Sequence, residues 1–232
     1  SEADLIFNVG ARFDDRITNN PSKFGLEAKK IHIDSDPSSI DKIIGVDLAI
    51  EGDAKLVMQQ LTEQVKSTGF DKNIYKDWWA QVEDWREAHG LNHDMLNLKN
   101  EKDIILPQQV IQSLYQTTKG EAYVTSDVGQ HQMFAAQYYK FKDPRKWINS
   151  GGLGTMGFGL PSAMGVKFAF PEADVACVTG EGSIQMCIQE LSTCGQYGLP
   201  IKIINLNNRA LGMVKQWQDM QYGGRYSSIS YE

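Results

Sequence analysis

Short apolar runs closed by a glycine or an acidic residue, each leading into an amphipathic stretch, recur along this chain. Leu5–Val9 is expected as a buried strand ending at Gly10, and Lys30–Asp34 as a second strand with an acidic end. Leu48–Glu51 reads as a third, reaching Gly52-Asp53 before a helix with Leu56, Val57 and Leu61 on one face. From about Asn73 to Ala88, Tyr75, Trp78, Val82 and Trp85 recur at heptad-like spacing, which predicts a helix with a packing stripe rather than a cofactor box. Gly90–Asp103 is polar and rich in Asn and Lys, the composition of a linker between a first domain over residues 1–89 and a second over 104–232. Pro107 opens a helix with Val110, Ile111 and Leu114 on one face, closing at Gly120. Then come AYVTSD, KWINSGG, VACVTGEG and IKIINLNN, each a strand running into a turn and a helix pattern. The alternation predicts the α/β class: two doubly wound parallel-sheet domains, the first Rossmann-like, with sites at the carboxyl ends of the strands.

Composition adds bounds. The 232 residues suffice for one large or two ordinary domains, and 41% hydrophobic with 22% charged residues is a globular balance. A net charge of −6 argues against a nucleic-acid surface, and no apolar run is long enough to span a membrane. Cys177, Cys187 and Cys194 sit inside apolar patterns without a C-x-x-C pair, so they are expected as buried thiols in a reducing compartment. The chain opens without a Met or a signal-peptide pattern and stops straight after one helix, so a piece of a longer protein is expected.

The chemistry concentrates in VACVTGEGS and the Asn207-Asn208 pair that ends the next strand. A strand ending in Gly180-Glu181-Gly182-Ser183 at a helix start offers an oxygen ligand beside free backbone N–H groups. The amide oxygen of Asn208, 27 positions after Glu181, reaches the same point from the neighbouring parallel strand. Two hard oxygen donors at a helix start suit Mg²⁺ held on a diphosphate; the alternative is an ordinary strand–helix turn. A second constellation, Gly151–Gly159, has closely spaced glycines that admit a flat ligand and Met156 as a thioether wedge; alone, it also suits a loop with a core Met. A third, Ser126–Met133, follows the strand AYVT, where backbone and amide donors could hold phosphate; an isolated His131 there is more often structural. In the first domain a glycine after one strand, an acidic strand end and a Gly-Asp at a third suit a dinucleotide fold. G-x-G-x-x-G is missing, so a Rossmann-like domain without ligand stays open. Met213 and Trp217, at i and i+4, share one helix face, either a core stripe or a site wall. His32, His89 and His93 lack partners at ligand spacing and are expected as structural or surface residues.

The order G-(D/E)-G-S, about 27 residues, N-N resembles the thiamine-diphosphate motif. SDVGQHQMFAAQ and WINSGGLGTMGFGLP narrow the resemblance to the acetolactate synthase (acetohydroxyacid synthase) large-subunit family, over the whole chain in order. The resemblance implies a transferase that decarboxylates pyruvate on thiamine diphosphate. It then condenses the two-carbon unit with pyruvate or 2-ketobutyrate, the entry to branched-chain amino acids. It implies Mg²⁺ on Glu181, Asn208 and a carbonyl near Ala210. It places the cofactor against Val128, Gly129, Gln130, His131, Gly154, Met156, Gly180, Gly182, Ser183, Asn208, Leu211, Gly212 and Met213. Met156, Met213 and Trp217 would act at the reacting centre, Met156 by bending the cofactor and Trp217 by shaping the pocket for the second 2-ketoacid. FAD, as a structural remnant, is implied at Gly10, Ala11, Arg12, Asp14, Arg16, Asp34, Ser35, Gly52, Asp53 and Ala54, with Gln132 and Met133 approaching from the other domain. The implied setting is a cytoplasmic homodimer or tetramer of the full-length subunit with a regulatory small subunit. The carboxylate that protonates the cofactor's pyrimidine is expected on a preceding domain of a neighbouring subunit, which leaves the isolated chain inactive.

The chain departs from the family at Glu181, where Asp is expected. The extra methylene lengthens the arm by roughly 1.5 Å, and Mg²⁺ demands near-ideal octahedral geometry, so weaker metal affinity is expected. Cys187, Gly195 and Ala210 also differ from the residues expected in close relatives. Two alternatives to acetolactate synthase are another thiamine-dependent 2-ketoacid enzyme and a non-catalytic flavin- or diphosphate-binding module.

Overall fold

Strands β1 (Leu5–Val9), β2 (Lys29–Asp34) and β3 (Leu48–Glu51) pair in parallel in that order, Leu5 opposite Lys29 and Ile31 opposite Leu48. This computed structural model describes residues 2–91, 94–97 and 104–231, without the side chain of Lys72. The chain divides into two compact units, Ser1–Trp85 and Arg86–Glu232. In the first, the short helix α1 (Asp15–Thr18) follows β1, and α2 (Ala54–Thr68) follows β3. Both start at an aspartate cap: Asp14 accepts from the Arg16 N–H, and Asp53 from the Leu56 N–H. The apolar centre is small. Ile33 and His32 of β2 are fully buried, and the Phe13 ring meets His32 edge-on at 5.2 Å.

Three expectations for this unit change. Leu5, Phe7 and Val9 all face outward in β1, which the sequence suggested was buried throughout; the described helices of this unit leave that face open. Leu56 is 58% exposed, whereas Val57 and Leu61 of the same helix are half-buried, because α2 packs along a narrower stripe than its apolar pattern covers. The aromatic run forms a 3₁₀ turn (Lys72–Tyr75) leading into α3 (Lys76–His89), and Trp78 meets Trp85 edge-on at 5.7 Å. Neither ring is buried; the stripe packs on itself.

The second unit is built around a parallel sheet of β4 (Tyr123–Ser126), β5 (Trp147–Asn149), β6 (Val175–Thr179) and β7 (Lys202–Asn205), in the order β5-β4-β6-β7. Helix α4 (Pro107–Thr118) precedes β4, and Lys119 and Gly120 end it in left-handed backbone, as the proline and glycine positions predict. Helix α5 (Gln130–Tyr138) connects β4 to β5, and α6 (Gly159–Ala169) connects β5 to β6. Alternate residues of the sheet feed two cores. Val124 and Val178 join Ile111, Ala135 and Tyr139 on one face, while Val175 and Cys177 join Leu160 and Ala163 on the other. With both faces covered, β6 is buried at every position. Met95 lies in the segment expected as a linker; it packs into the first of these cores, and its N–H donates to Gln112 Oε1 at 3.0 Å. Much of that segment (92–93 and 98–103), with His93, lies outside the described residues.

After β6 the single expected helix is split into α7 (Glu181–Ile184) and α8 (Glu190–Gln196), with turns between. The break turns Cys187 Sγ to the Gly157 carbonyl, 3.0 Å away. Helix α9 (Gly212–Tyr222) follows β7. All three cysteines are free, Cys177 buried and Cys187 and Cys194 half-buried. Among the described residues, no helix is long and apolar enough to cross a membrane.

Candidate functional site

The chain leaves β4 for β5 on one side of the sheet and returns to β6 on the other, so the carboxyl ends of β4 and β6 flank a topological switch point. A cavity of about 500 Å³ opens there. Its walls are Val128, Gly129, Gln130 and His131 after β4, and Gly180, Glu181, Gly182 and Ser183 after β6. Asn208, Ala210, Leu211 and Gly212 after β7 close a third side, and Met156 comes from the glycine-rich loop. Met213 and Trp217, one turn apart on α9, line it together. Fifteen of the residues singled out in this unit thus meet in one place. Gly154 does not: it is exposed, in left-handed backbone, outside the lining.

At the centre, the Ala210 N–H donates to Glu181 Oε1 at 2.7 Å and to Asn208 Oδ1 at 3.0 Å. Asn208 Nδ2 lies 3.4 Å from Gln130 Oε1, and Gln130 Nε2 donates to Gln216 Oε1 of α9 at 3.0 Å. One polar chain therefore joins the ends of β4, β6 and β7 to α9. Ser183 Oγ, expected as a free hydroxyl at the helix start, donates instead to the Val128 carbonyl at 2.9 Å, tying the β6 turn to the β4 turn.

The helices that start at the cavity lack side-chain caps. Gly129 before α5, Gly180 before α7 and Leu211 before α9 offer no capping oxygen, unlike Asp14 and Asp53 in the first unit. First-turn N–H groups left this way are the usual seat of an anion. His131 packs between two of these turns. A Cβ on Gly129 would lie 2.6 Å from its Cε1, and one on Gly180 would lie 2.8 Å from its Nδ1, so both positions must be glycine. The ring is buried, and its Nε2 has no hydrogen-bond partner. Burial holds His131 below its ordinary pKa, against the opposing charges of Asp127 and Glu181. The imidazole is therefore neutral at neutral pH, able to donate or accept at Nε2.

Asp127 was not singled out in the sequence, and it is 1% exposed. Its carboxylate accepts from the N–H groups of Val128 at 3.1 Å and Gly157 at 2.7 Å, and from the Thr179 hydroxyl at 3.3 Å. An acidic residue at a strand end reads as solvent-facing, and only its place inside the S-D-V-G turn hinted otherwise. Gln216 was equally silent, as one of several polar positions on a helix. Ile105, Val110, Phe134, Leu206 and Val214 supply apolar wall that the pattern alone assigns to core.

In the first unit, the positions singled out for a dinucleotide gather at the carboxyl edge of the three-stranded sheet. Gly10 follows β1 with its N–H on the Ile33 carbonyl, Asp34 ends β2 with Ser35 just after it, and Gly52 follows β3 with its N–H on the Asp34 carbonyl. Ala11 is held by Asn8, while Arg12 and Arg16 are exposed and Arg12 lies 3.5 Å from Asp14. Asp14 and Asp53 serve as helix caps, next to Ala54 at the start of α2. Gln132 and Met133 lie on α5 of the second unit. His32, expected to be structural, has no hydrogen bond at either ring nitrogen and stands 3.6 Å from Asp34. Among the described residues, no group of three His, Cys, Asp or Glu side chains could hold a metal by itself.

Residues 127–232 match the C-terminal TPP-binding domain of thiamine pyrophosphate enzymes, and residues 1–61 match their central domain. The chain is 58% identical over 227 residues to the acetolactate synthase isozyme 3 large subunit of Escherichia coli (strain K12), covering 97% of this chain and 39% of that protein. It is 57% identical to the acetolactate synthase large subunit of Buchnera aphidicola subsp. Schlechtendalia chinensis over the same shares. Against an acetolactate synthase of Mycobacterium leprae (strain TN) the identity is 43%, over 97% of this chain and 36% of the other. The chain therefore spans well under half the length of these relatives.

Proposed function

We propose that this chain, which belongs to the thiamine pyrophosphate enzyme family, seats thiamine diphosphate and Mg²⁺ in the cavity of its second unit and works within an acetolactate synthase. The observation that carries this reading is the meeting of Glu181 Oε1 and Asn208 Oδ1 on the single N–H of Ala210. Two hard oxygens so placed, with a backbone carbonyl such as that of Ala210, are the protein donors that would hold Mg²⁺ on a diphosphate. The rest of the wall suits the other parts of the ligand. Uncapped helix starts at Gly129 and Leu211, with the free Nε2 of His131, match a diphosphate, and half-buried Met156 presents a thioether to a flat ring.

Bound thiamine diphosphate supplies the electron sink that lets a 2-ketoacid lose CO₂ and its two-carbon unit add to another ketone. The chain's own residues bind and orient. Glu181 and Asn208 fix the metal, Gln130 links Asn208 to α9, and Met213 and Trp217 on that helix line the space where the second 2-ketoacid, pyruvate or 2-ketobutyrate, would sit. Half-buried Val110 and Phe134 add apolar wall to the same cavity. No group here needs to move a proton for these roles. The corresponding step in metabolism is the first common one toward branched-chain amino acids, in the cytoplasm.

FAD completes the proposal, on Gly10, Ala11, Arg12, Asp14, Arg16, Asp34, Ser35, Gly52 and Asp53 of the first unit. Exposed Arg12 and Arg16 are suited to phosphate, and Asp34 to a ribose hydroxyl, at the strand ends where dinucleotides bind. The condensation has no net redox step, so the flavin's part is structural. The large-subunit relatives support a regulatory small subunit as a partner, and a homodimer or tetramer of the full-length subunit is part of the same proposal.

Trp217 lies in the cavity wall, and the other four tryptophans line none of it. Thiamine diphosphate with Mg²⁺ should quench the fluorescence, and Trp217→Phe should remove most of that quench. No binding heat and no quench at millimolar cofactor would sink the reading.

A further inference from the structure

The mechanism above leaves the buried carboxylate of Asp127 without a task. It is fully desolvated, at the hinge between β4 and the β6 turn, and it faces the glycine-rich loop. Its shortest bond, 2.7 Å, is to the N–H of Gly157, the residue after Met156. The carbonyl of the same residue accepts from Cys187 Sγ at 3.0 Å. Gly157 has φ +93, and a Cβ there would stand 2.9 Å from both Cys187 Sγ and Met186 Cβ, so the backbone is held against the β6 turn with no slack. Asp127 is equally close to the end of the loop: a Cβ on Gly159 would lie 2.9 Å from the Asp127 N–H nitrogen, and the Gly159 carbonyl accepts from Thr125 Oγ1. Burial, with the charges of Asp127 and Glu190, raises the Cys187 thiol pKa, so it stays protonated and remains a donor at neutral pH.

We propose that Asp127 and Cys187 form a clamp on Gly157, one at each of its backbone polar groups, and that this clamp sets the position of Met156 in the cavity wall. Asp127 is a positioning residue acting through Met156. A buried carboxylate is costly to desolvate, and its donors here are two backbone N–H groups and a hydroxyl that fix one geometry. Cys187 supplies the second jaw only because α7 and α8 are separated by turns. The inference rests on the reading of the cavity as a thiamine diphosphate site.

The test uses the full-length protein and two readouts: amide hydrogen exchange at Gly157 without cofactor, and thiamine diphosphate affinity from tryptophan quenching. Asp127→Ala leaves the Gly157 N–H buried without an acceptor and is expected to raise its exchange and weaken affinity each by about tenfold. Asp127→Asn keeps an acceptor oxygen and should restore both to within about threefold of the original protein. In a Met156→Ala background, Asp127→Ala should cost no further affinity, since the effect passes through Met156. Full additivity there, or unchanged affinity with faster exchange, overturns the positioning role. Should Asp127→Ala not fold, Cys187→Ala against Cys187→Ser tests the jaw on the Gly157 carbonyl: thiamine diphosphate affinity should fall for the alanine and be kept by the serine, and equal affinity for both variants and the original protein would overturn the clamp. Failure of the original protein to bind thiamine diphosphate would sink the cavity reading instead, and Gly157 exchange would still decide whether the clamp exists.

Discussion

Glu181 and Asn208, on the turns after β6 and β7, share one hydrogen-bond donor. The Ala210 N–H lies 2.7 Å from the carboxylate and 3.0 Å from the carboxamide oxygen. The side chains lie on different strand ends and meet because those strands are parallel neighbours, with Thr179 opposite Asn205. A glutamate at 181 reaches this N–H with an arm one methylene longer than aspartate. Glu181→Asp should draw the carboxylate back and tighten Mg²⁺ by about threefold or more, while Glu181→Gln should weaken it by at least about tenfold. Magnesium titration by calorimetry, with thiamine diphosphate present, checks both. Equal affinity for the glutamate and aspartate forms would show that the longer arm is accommodated.

Gly180→Ala forces a methyl group against His131 Nδ1 at 2.8 Å, in a packed site where the ring also abuts Gly129. Overpacking of this kind costs about 1–3 kcal/mol. Urea unfolding should show the loss in the second unit, and Gly180→Ala combined with His131→Ala should recover most of it. No recovery would mean that the ring is not the obstacle.

His131 has a folded-state pKa below its ordinary value because the ring is buried. The unfolded chain therefore takes up a proton at higher pH than the folded one, so the contribution of this residue is fully present above about pH 6.5 and is lost as pH falls below it. Urea midpoints of the cofactor-free protein should drop on going from about pH 7.5 to 5.5, and His131→Asn should flatten that drop. Identical slopes would assign the pH dependence to other groups.

Cys177 is buried in β6, and desolvation pushes its thiol up to about 12. It should resist alkylation in the folded protein at mildly alkaline pH, while half-buried Cys187 and Cys194 react slowly. Peptide mass spectrometry after a timed N-ethylmaleimide pulse separates the three. Early labelling of Cys177 would show that β6 opens locally.

Much of the architecture was legible from period and punctuation. Every strand from AYVTSD to IKIINLNN lies where its apolar run and turn residues put it, most plainly β6, which is buried at every position and reads as a short continuous apolar run. The i, i+4 spacing of Met213 and Trp217 does place both on the cavity wall. Reading failed where the same pattern has two outcomes. Leu5, Phe7 and Val9 look like any core strand, but their exposure depends on what covers the sheet. The continuous helix expected after Gly182 is interrupted by turns near Cys187, whose thiol bonds the Gly157 carbonyl of a loop 30 positions earlier, a contact no local pattern announces.

Local order along the chain was sufficient for the α/β class, the parallel strands and the glycine-marked turns, because backbone propensity and side-chain period act within a few residues. Which atoms meet was settled by the tertiary structure alone. Asp127 reaches Thr179 across 52 positions and Gly157 across 30, and Glu181 reaches Ala210 across 29. Such bonds form only after parallel strands have aligned their carboxyl ends, and the same burial that hides Asp127 from water makes its hydrogen bonds worth keeping.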